Sequence, residues 1–222
     1  MEIGYWAIRG LGAPLRMMAT YGGLEYKDSQ YSSGEAWFKE HKPRILGMNP
    51  LANLPYVVDG DKCICQSNAT MVHIGEKIGI YEGLRDLELL VEIFDLRNAV
   101  VDLAYPFRKV ARDQAEFEVA AEAHLGKVAP KQYAKLEAVL EKNGTLYMLK
   151  DTPSVCDFHV WEMLDQHESL ALKFNHPSPL IPFPKLKRLH DTLKADPKLK
   201  PYFDSDKYKL PINNPLGGAY FH

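Results

Sequence analysis

A phenol and an indole stand side by side at Tyr5 and Trp6, immediately ahead of a glycine-rich turn, in the stretch EIGYWAIRGLGAPLRM. A chain entering such a turn ordinarily carries small residues, so two large aromatics, one bearing a hydroxyl donor, mark a candidate site. The Gly10-x-Gly12 spacing is not a dinucleotide cradle, because the third glycine and the later acidic residue are missing. The eight histidines share no ligand spacing with the cysteines, so no metal site is expected. There is no Gly-x-Ser-x-Gly elbow for a serine hydrolase and no Cys-x-x-Cys for dithiol redox chemistry. Ser154-x-x-Asp157 has the spacing of a capping box, a structural device that opens a helix.

The elements that must carry these residues alternate over the first eighty positions. Residues 2–8 read as a strand, and 14–22 as a helix with Pro14 in its first turn and Leu15, Met18 and Ala19 at helical spacing. Leu24 to Tyr31 reads as a second strand, and 32–52 as a loop. LPYVVDGDKCICQ is a hairpin turning at Asp59-Gly60. SNATMVHIGEKIG then forms a helix with Ser67 as its N-cap. A right-handed crossover makes the first two strands parallel, and the hairpin adds antiparallel ones.

From about residue 86 strand signals vanish. One long helix carries two apolar stripes, Leu87, Leu90, Val91, Phe94 and Val101 on one side, Leu89, Ile93, Leu96 and Val100 on the other; such a helix is covered on two sides. Further helices are expected over 115–142 with a bend at Pro130, over 154–171, and over 184–195, before an irregular tail. The division is 1–80, a linker at 81–86, and an all-helical part at 87–222.

At 222 residues the chain can bury a full core, and its net charge of −2 offers no basic field for nucleic acid. No apolar run approaches the roughly 20 residues that span a bilayer, and no secretory leader is seen. Cys63 and Cys65, two apart on one strand face, are poorly placed to bridge each other. A reducing, cytoplasmic setting is expected.

Four stretches together, GYWAIRGL (4–11), NLPYVVDGD (53–61), QSNA (66–69) and SVCDF (154–158), resemble the cytosolic glutathione transferases. The Tyr-Trp pair followed by Ile-Arg-Gly-Leu is most similar to the mu class, with the sigma class next. The resemblance runs over nearly the whole chain. It implies an α/β thioredoxin-like N-terminal domain, an all-α C-terminal domain and a homodimer. It also implies an enzyme joining glutathione to a hydrophobic electrophile, with glutathione as cosubstrate and no other cofactor.

The same resemblance assigns roles. Tyr5 would donate its hydroxyl to the glutathione sulfur. Trp6 and Leu11 would line the glutathione site, and Asn53, Leu54 and a cis Pro55 would present backbone to the cysteinyl unit. Gln66 and Ser67 would face the γ-glutamyl carboxylate, and Trp37 and Lys42 would hold the glycine carboxylate, with His41 and Lys39 as alternatives to Lys42. Asp95 would reach the partner subunit's glutathione, while Ile8 and Tyr105 would line the electrophile pocket. The loop before Trp37 is shorter than in the mu pattern. Competing readings are a non-catalytic carrier of haem or bilin, a crystallin-like structural protein, and a glutathione-dependent lipid isomerase.

Overall fold

A computed structural model describes all residues, 1–222. The chain divides into two compact units: Met1–Tyr81 with Pro197–Gly217 and His222, and Glu82–Asp196 with Gly218–Phe221. The segment 197–217, which the sequence division assigned to the helical part, therefore groups with the first unit.

In the first unit, β1 (Glu2–Trp6), α1 (Gly12–Tyr21) and β2 (Lys27–Tyr31) form the expected crossover, with β1 and β2 parallel and Tyr5 opposite Gln30. The hairpin is β3 (Tyr56–Asp59) and β4 (Lys62–Cys65), and the sheet order is β2-β1-β3-β4. α1 turns an unbroken buried run inward, Leu15 to Ala19, because α3 (Ser67–Lys77) and α9 (Lys200–Phe203) both cover it. On the other sheet face, Tyr31, Trp37, Ile45, Ala52, Tyr56 and Cys65 form one buried cluster. A hydrogen-bond chain closes it: Tyr31 Oη meets Tyr56 Oη at 2.6 Å, and Tyr56 donates to Glu2 at 2.5 Å. Burial works against the Glu2 charge, but hydrogen bonds from Tyr56 and Ser29 and the Arg44 guanidinium outweigh it and hold the carboxyl low.

Two expectations need correction here. The segment 32–52 is not a plain loop: a π-helical turn, Ala36–His41, runs into α2 (Lys42–Met48). Charges at Lys39, Glu40, Lys42 and Arg44 hide its narrow apolar face in sequence; only Trp37 and Ile45 are buried there. Ser67 is the first helical residue rather than the cap, which is Gln66 at φ 75°, and the Gln66 carbonyl accepts from Thr70 N at 2.9 Å.

The second unit consists of α4 (Leu84–Ala104), α5 (Gln114–Ala123), α6 (Ala129–Asn143), α7 (Val155–Lys173) and α8 (Pro184–Lys194). The α4 stripe through Leu89, Ile93, Leu96 and Val100 is buried, and Leu90 joins it instead of the opposite stripe. Of that opposite stripe Val91 is exposed, as is Leu84 at the start of the helix. Where a bend was expected at Pro130, a π-helical turn, His124–Val128, lies just ahead of the proline, which lacks the N–H that a regular helix would use. No helix is long and apolar enough to cross a membrane.

α7 is the centre of this unit, buried from Val155 to His167. Ser154 caps it, and the Asp157 carboxylate accepts from Ser154 N and Oγ, each at 2.8 Å, and from Met148 N at 2.8 Å. Burial nevertheless pushes the Asp157 carboxyl up to about 6, partly opposed by those hydrogen bonds. Asp157→Ala would orphan two buried backbone donors. The expected loss is about 2–4 kcal/mol of stability in denaturant unfolding, with turnover of the folded fraction nearly unchanged.

Candidate active site

Register alone gathers the N-terminal candidates at one end of the sheet. β1 runs antiparallel to β3 with Gly4 opposite Tyr56, and β3 runs antiparallel to β4 with Tyr56 opposite Cys65. One step onward from those pairs come Tyr5 and Trp6 on β1, Pro55 and Leu54 ahead of β3, and Gln66 and Ser67 behind β4. The Leu54–Pro55 peptide is cis. The Leu54 N–H donates to Asn53 Oδ1 at 2.9 Å, so the Asn53 side chain fixes this backbone. Ser67 opens α3, where unpaired N–H groups and the helix dipole favour an anion.

Tyr5 is buried, with 6% of its surface exposed. The two glycines after it make room for its ring. A Cβ on Gly10 would lie 3.0 Å from the Tyr5 hydroxyl, and one on Gly12 would lie 2.8 Å from Tyr5 Cδ1. Gly10 also sits at φ 36°, a conformation that disfavours side chains. The glycine-rich turn and the large aromatic before it are thus one design: the turn surrenders side-chain volume to the phenol.

Two features of this turn were missed by sequence reasoning. Arg16, fully buried on α1, donates from Nη1 to Ile8 O at 2.7 Å and from Nη2 to Trp6 O at 3.4 Å, and pairs with Asp28 at 3.1 Å. It stitches the backbone on the far side of Tyr5. A lone arginine among Leu15, Met17 and Met18 was the available signal. The second feature is the tail: Arg9 N donates to Pro211 O at 2.7 Å and Gly10 N to Ile212 O at 3.1 Å. The Arg9 guanidinium also lies 4.7 Å from the Tyr208 ring centroid.

The remaining candidates divide. Leu11, buried, ends the turn and precedes α1, while Ile8 is buried at 4% exposure and so is largely enclosed by its own unit. Trp6 is half-buried with its ring 6.2 Å from Phe38, and Lys42 Nζ lies 5.5 Å from the same Phe38 ring. Phe38, exposed, was not anticipated. Trp37 is a core ring at 1% exposure, 5.2 Å from Tyr31 and stacked on Tyr56 at 6.0 Å. Of the alternatives to Lys42, His41 lies against Tyr31 at 5.0 Å and Lys39 pairs with Glu35. In the second unit, Asp95 is exposed on α4. Tyr105 falls just past the end of that helix, in extended conformation, packed with Ala104, Ala219 and Phe107. No group of three or more His, Cys, Asp or Glu side chains is arranged to hold a metal ion.

Residues 1–76 match the family model described as glutathione S-transferase, N-terminal domain, and residues 95–206 match glutathione S-transferase, C-terminal domain. The chain belongs to the glutathione S-transferases. The class-mu 26 kDa isozyme 1 of Fasciola hepatica is 33% identical to this glutathione S-transferase over 96% of the chain and 90% of its own length. Glutathione S-transferase Mu 1 of Oryctolagus cuniculus is 29% identical over 96% of the chain and 94% of its own. Among solved structures, that of glutathione S-transferase Blo t 8 superposes with a TM-score of 0.83 over 97% of this chain and 98% of its own, at 24% identity, which speaks to the fold. The fold is accordingly the thioredoxin-like domain followed by the helical domain that the resemblance implied.

Proposed function

We propose that this glutathione S-transferase joins the sulfur of glutathione to a hydrophobic electrophile, with Tyr5 holding the sulfur as its anion. The observation that carries this reading is the convergence by register of Tyr5, the Leu54–Pro55 backbone and the α3 N-terminus on one end of the sheet. An extended tripeptide presenting its backbone to Leu54 would add to the sheet as a short strand, its γ-glutamyl carboxylate toward Gln66 and Ser67 and its thiol toward Tyr5. Lys42, beside Phe38 and Trp6, supplies a cation for the glycine carboxylate; Trp37 then acts by packing beneath them. Tyr105, packed with Ala219 and Phe107 in the second unit, offers an aromatic face to a hydrophobic electrophile.

The energetics suit a single donor. A free thiol has a pKa of about 8.5, and lowering it two units takes about 2.7 kcal/mol. One hydrogen bond to a charged acceptor contributes about 1.5–3 kcal/mol. Ultraviolet titration of the thiolate in the glutathione complex, alongside steady-state conjugation of a chloronitroarene, tests the reading. Ionisation of bound glutathione near pH 6.5 with measurable conjugation is the expected result; a fully protonated bound thiol at pH 7.5 would overturn it.

The ring's dependence on its glycines gives a second check. Gly12→Ala places a methyl against Tyr5 and the Arg16 guanidinium, which would be 3.0 Å away. Overpacking of this kind costs about 1–3 kcal/mol of stability, but the displaced hydroxyl should cost about ten- to a hundredfold in kcat. Comparing kcat with the melting temperature separates the two effects.

A homodimer is part of the proposal. Leu84 and Val91 leave apolar surface on α4, and a second copy would cover it and bring Asp95 to the neighbouring glutathione amine. Three unpaired cysteines support a reducing, cytoplasmic setting.

A further inference from the structure

Cys63 and Cys65 take no part in the reading above. Both are on β4, the edge strand of the sheet, and pair across β3 with Val58 and Tyr56 respectively. Residues two apart on a strand share a face, and both thiols face the cluster containing Ile45 and Tyr56, Cys63 half-buried and Cys65 at 5% exposure. The end of α2 is tied down beside them, because Asn49 Nδ2 donates to Cys63 O at 2.8 Å. All three cysteines of the chain are free.

We propose that Cys63 and Cys65 form a two-thiol site that chelates a monosubstituted trivalent arsenical. The pair is too sparse for a metal ion such as zinc, which takes four ligands, and no third His, Cys, Asp or Glu completes a set. An arsenical of the type R–As=O brings its own carbon substituent and needs only two sulfurs. The reaction is R–As=O + 2 Cys–SH → R–As(S–Cys)2 + H2O. The As–O bonds and both S–H bonds break, two As–S bonds form, the protons and oxygen leave as water, and arsenic stays trivalent, so no oxidant is required. A direct disulfide is less well served. Same-face strand neighbours lie about 6.6 Å apart at Cα, the outer limit for a disulfide, whereas an inserted arsenic atom lengthens the span.

The environment favours a chelator over a single-thiol nucleophile. Burial, then the adjacent Cys65 thiol, pushes the Cys63 thiol up to about 11. Thiols kept protonated react slowly with alkylating agents and peroxide, but condensation with the arsenic oxide consumes S–H groups and returns water. Once one As–S bond has formed, the second closes intramolecularly, with the gain that linkage provides. Cys156, fully buried in α7, is an internal control.

Native protein mixed with phenylarsine oxide tests the site by intact mass and titration. The expected result is one arsenical per chain, removed by a small dithiol and retained in an excess of monothiol. Cys63→Ser and Cys65→Ser should each weaken binding about 100-fold or more, while Cys156→Ala should leave it unchanged. Should Cys65→Ser, at the more buried position, fail to fold, Cys63→Ser carries the test. Retention of the arsenical by Cys63→Ser would overturn the proposal. So would uptake by the denatured chain alone, or recovery of the two cysteines as a disulfide without arsenic.

Discussion

Tyr5→Phe should bind glutathione nearly as well as the parent and lose about ten- to a hundredfold in kcat/KM at pH 7, the rate equivalent of one hydrogen bond to an anion, about 1.5–3 kcal/mol. The ring itself is retained, so its contacts with Gly10 and Gly12 survive and the fold should melt close to the parent temperature. The defect has a pH signature. The donor acts by favouring the thiolate, so its loss matters most below the free thiol's pKa of about 8.5 and shrinks above it, where the thiolate forms unaided. A purely structural tyrosine would give a rate loss that does not recover as pH rises. Pre-steady-state ionisation of bound glutathione and the pH profile of kcat/KM, measured together from pH 6 to 9.5, distinguish the two. Equal profiles for parent and variant would remove Tyr5 from the mechanism.

The parts of the fold that depend on local pattern were legible in the sequence. Alternation around Asp59-Gly60 gave the hairpin, the helical spacing of Leu15, Met18 and Ala19 gave α1, and the Ser154-Asp157 spacing gave the box that opens α7. What was hidden depends on contacts between distant positions. Trp37 stands among charges in the sequence, and it is buried because Tyr31 and Tyr56, on separate strands, present rings to it. The tail could not be assigned to the first unit, since its pairing with Arg9 and Gly10 uses backbone atoms that leave no trace in residue type. Arg16 was readable in principle: a guanidinium in an apolar helical run must find acceptors when buried, and the carbonyls of the adjoining turn are where it finds them.

Of the candidate site, the residues on the sheet end were accessible to sequence reasoning because strand register is nearly fixed by the turn and the parallel crossover. The loop residues were not. Their positions depend on the π-helical turn Ala36–His41, which was read as loop. Once that turn forms, Trp37 points into the core while its neighbour Phe38 stays outside.

The helical unit should lose stability in mild acid through its buried histidines. Three of its histidines are buried: His124, His159 and His167. His167 Nδ1 donates to Met163 O at 2.6 Å, which leaves its Nε2 as an acceptor for His124 Nε2–H at 2.9 Å. The rings stack at 5.1 Å, and a further proton would set two N–H groups against each other in a dry interior. His159 has both ring nitrogens buried without partners, its ring 5.2 Å from Phe94. Burial pushes these groups down to about 3, 3 and 4 for His124, His159 and His167, with His167 beside His124 and Arg97 beside His159 adding to it. A histidine held neutral in the fold contributes stability that is intact above its unfolded pKa of about 6.5 and is lost as pH falls below it, at about 1.4 kcal/mol per pH unit for each group. Asp157, raised to about 6, works the other way and regains stability as it protonates. Three groups against one leave a net loss on the order of 4 kcal/mol between pH 6.5 and 5, a large fraction of the 5–15 kcal/mol typical of a folded domain. The melting temperature should therefore fall by roughly 10 °C over that interval. His159→Leu removes an unsatisfied polar ring from the core, so it should stabilise the protein at neutral pH by about 1–3 kcal/mol and flatten the acid slope by one proton. A melting curve with the same pH dependence in parent and variant would mean that His159 takes up its proton in the folded state, against the burial that encloses it.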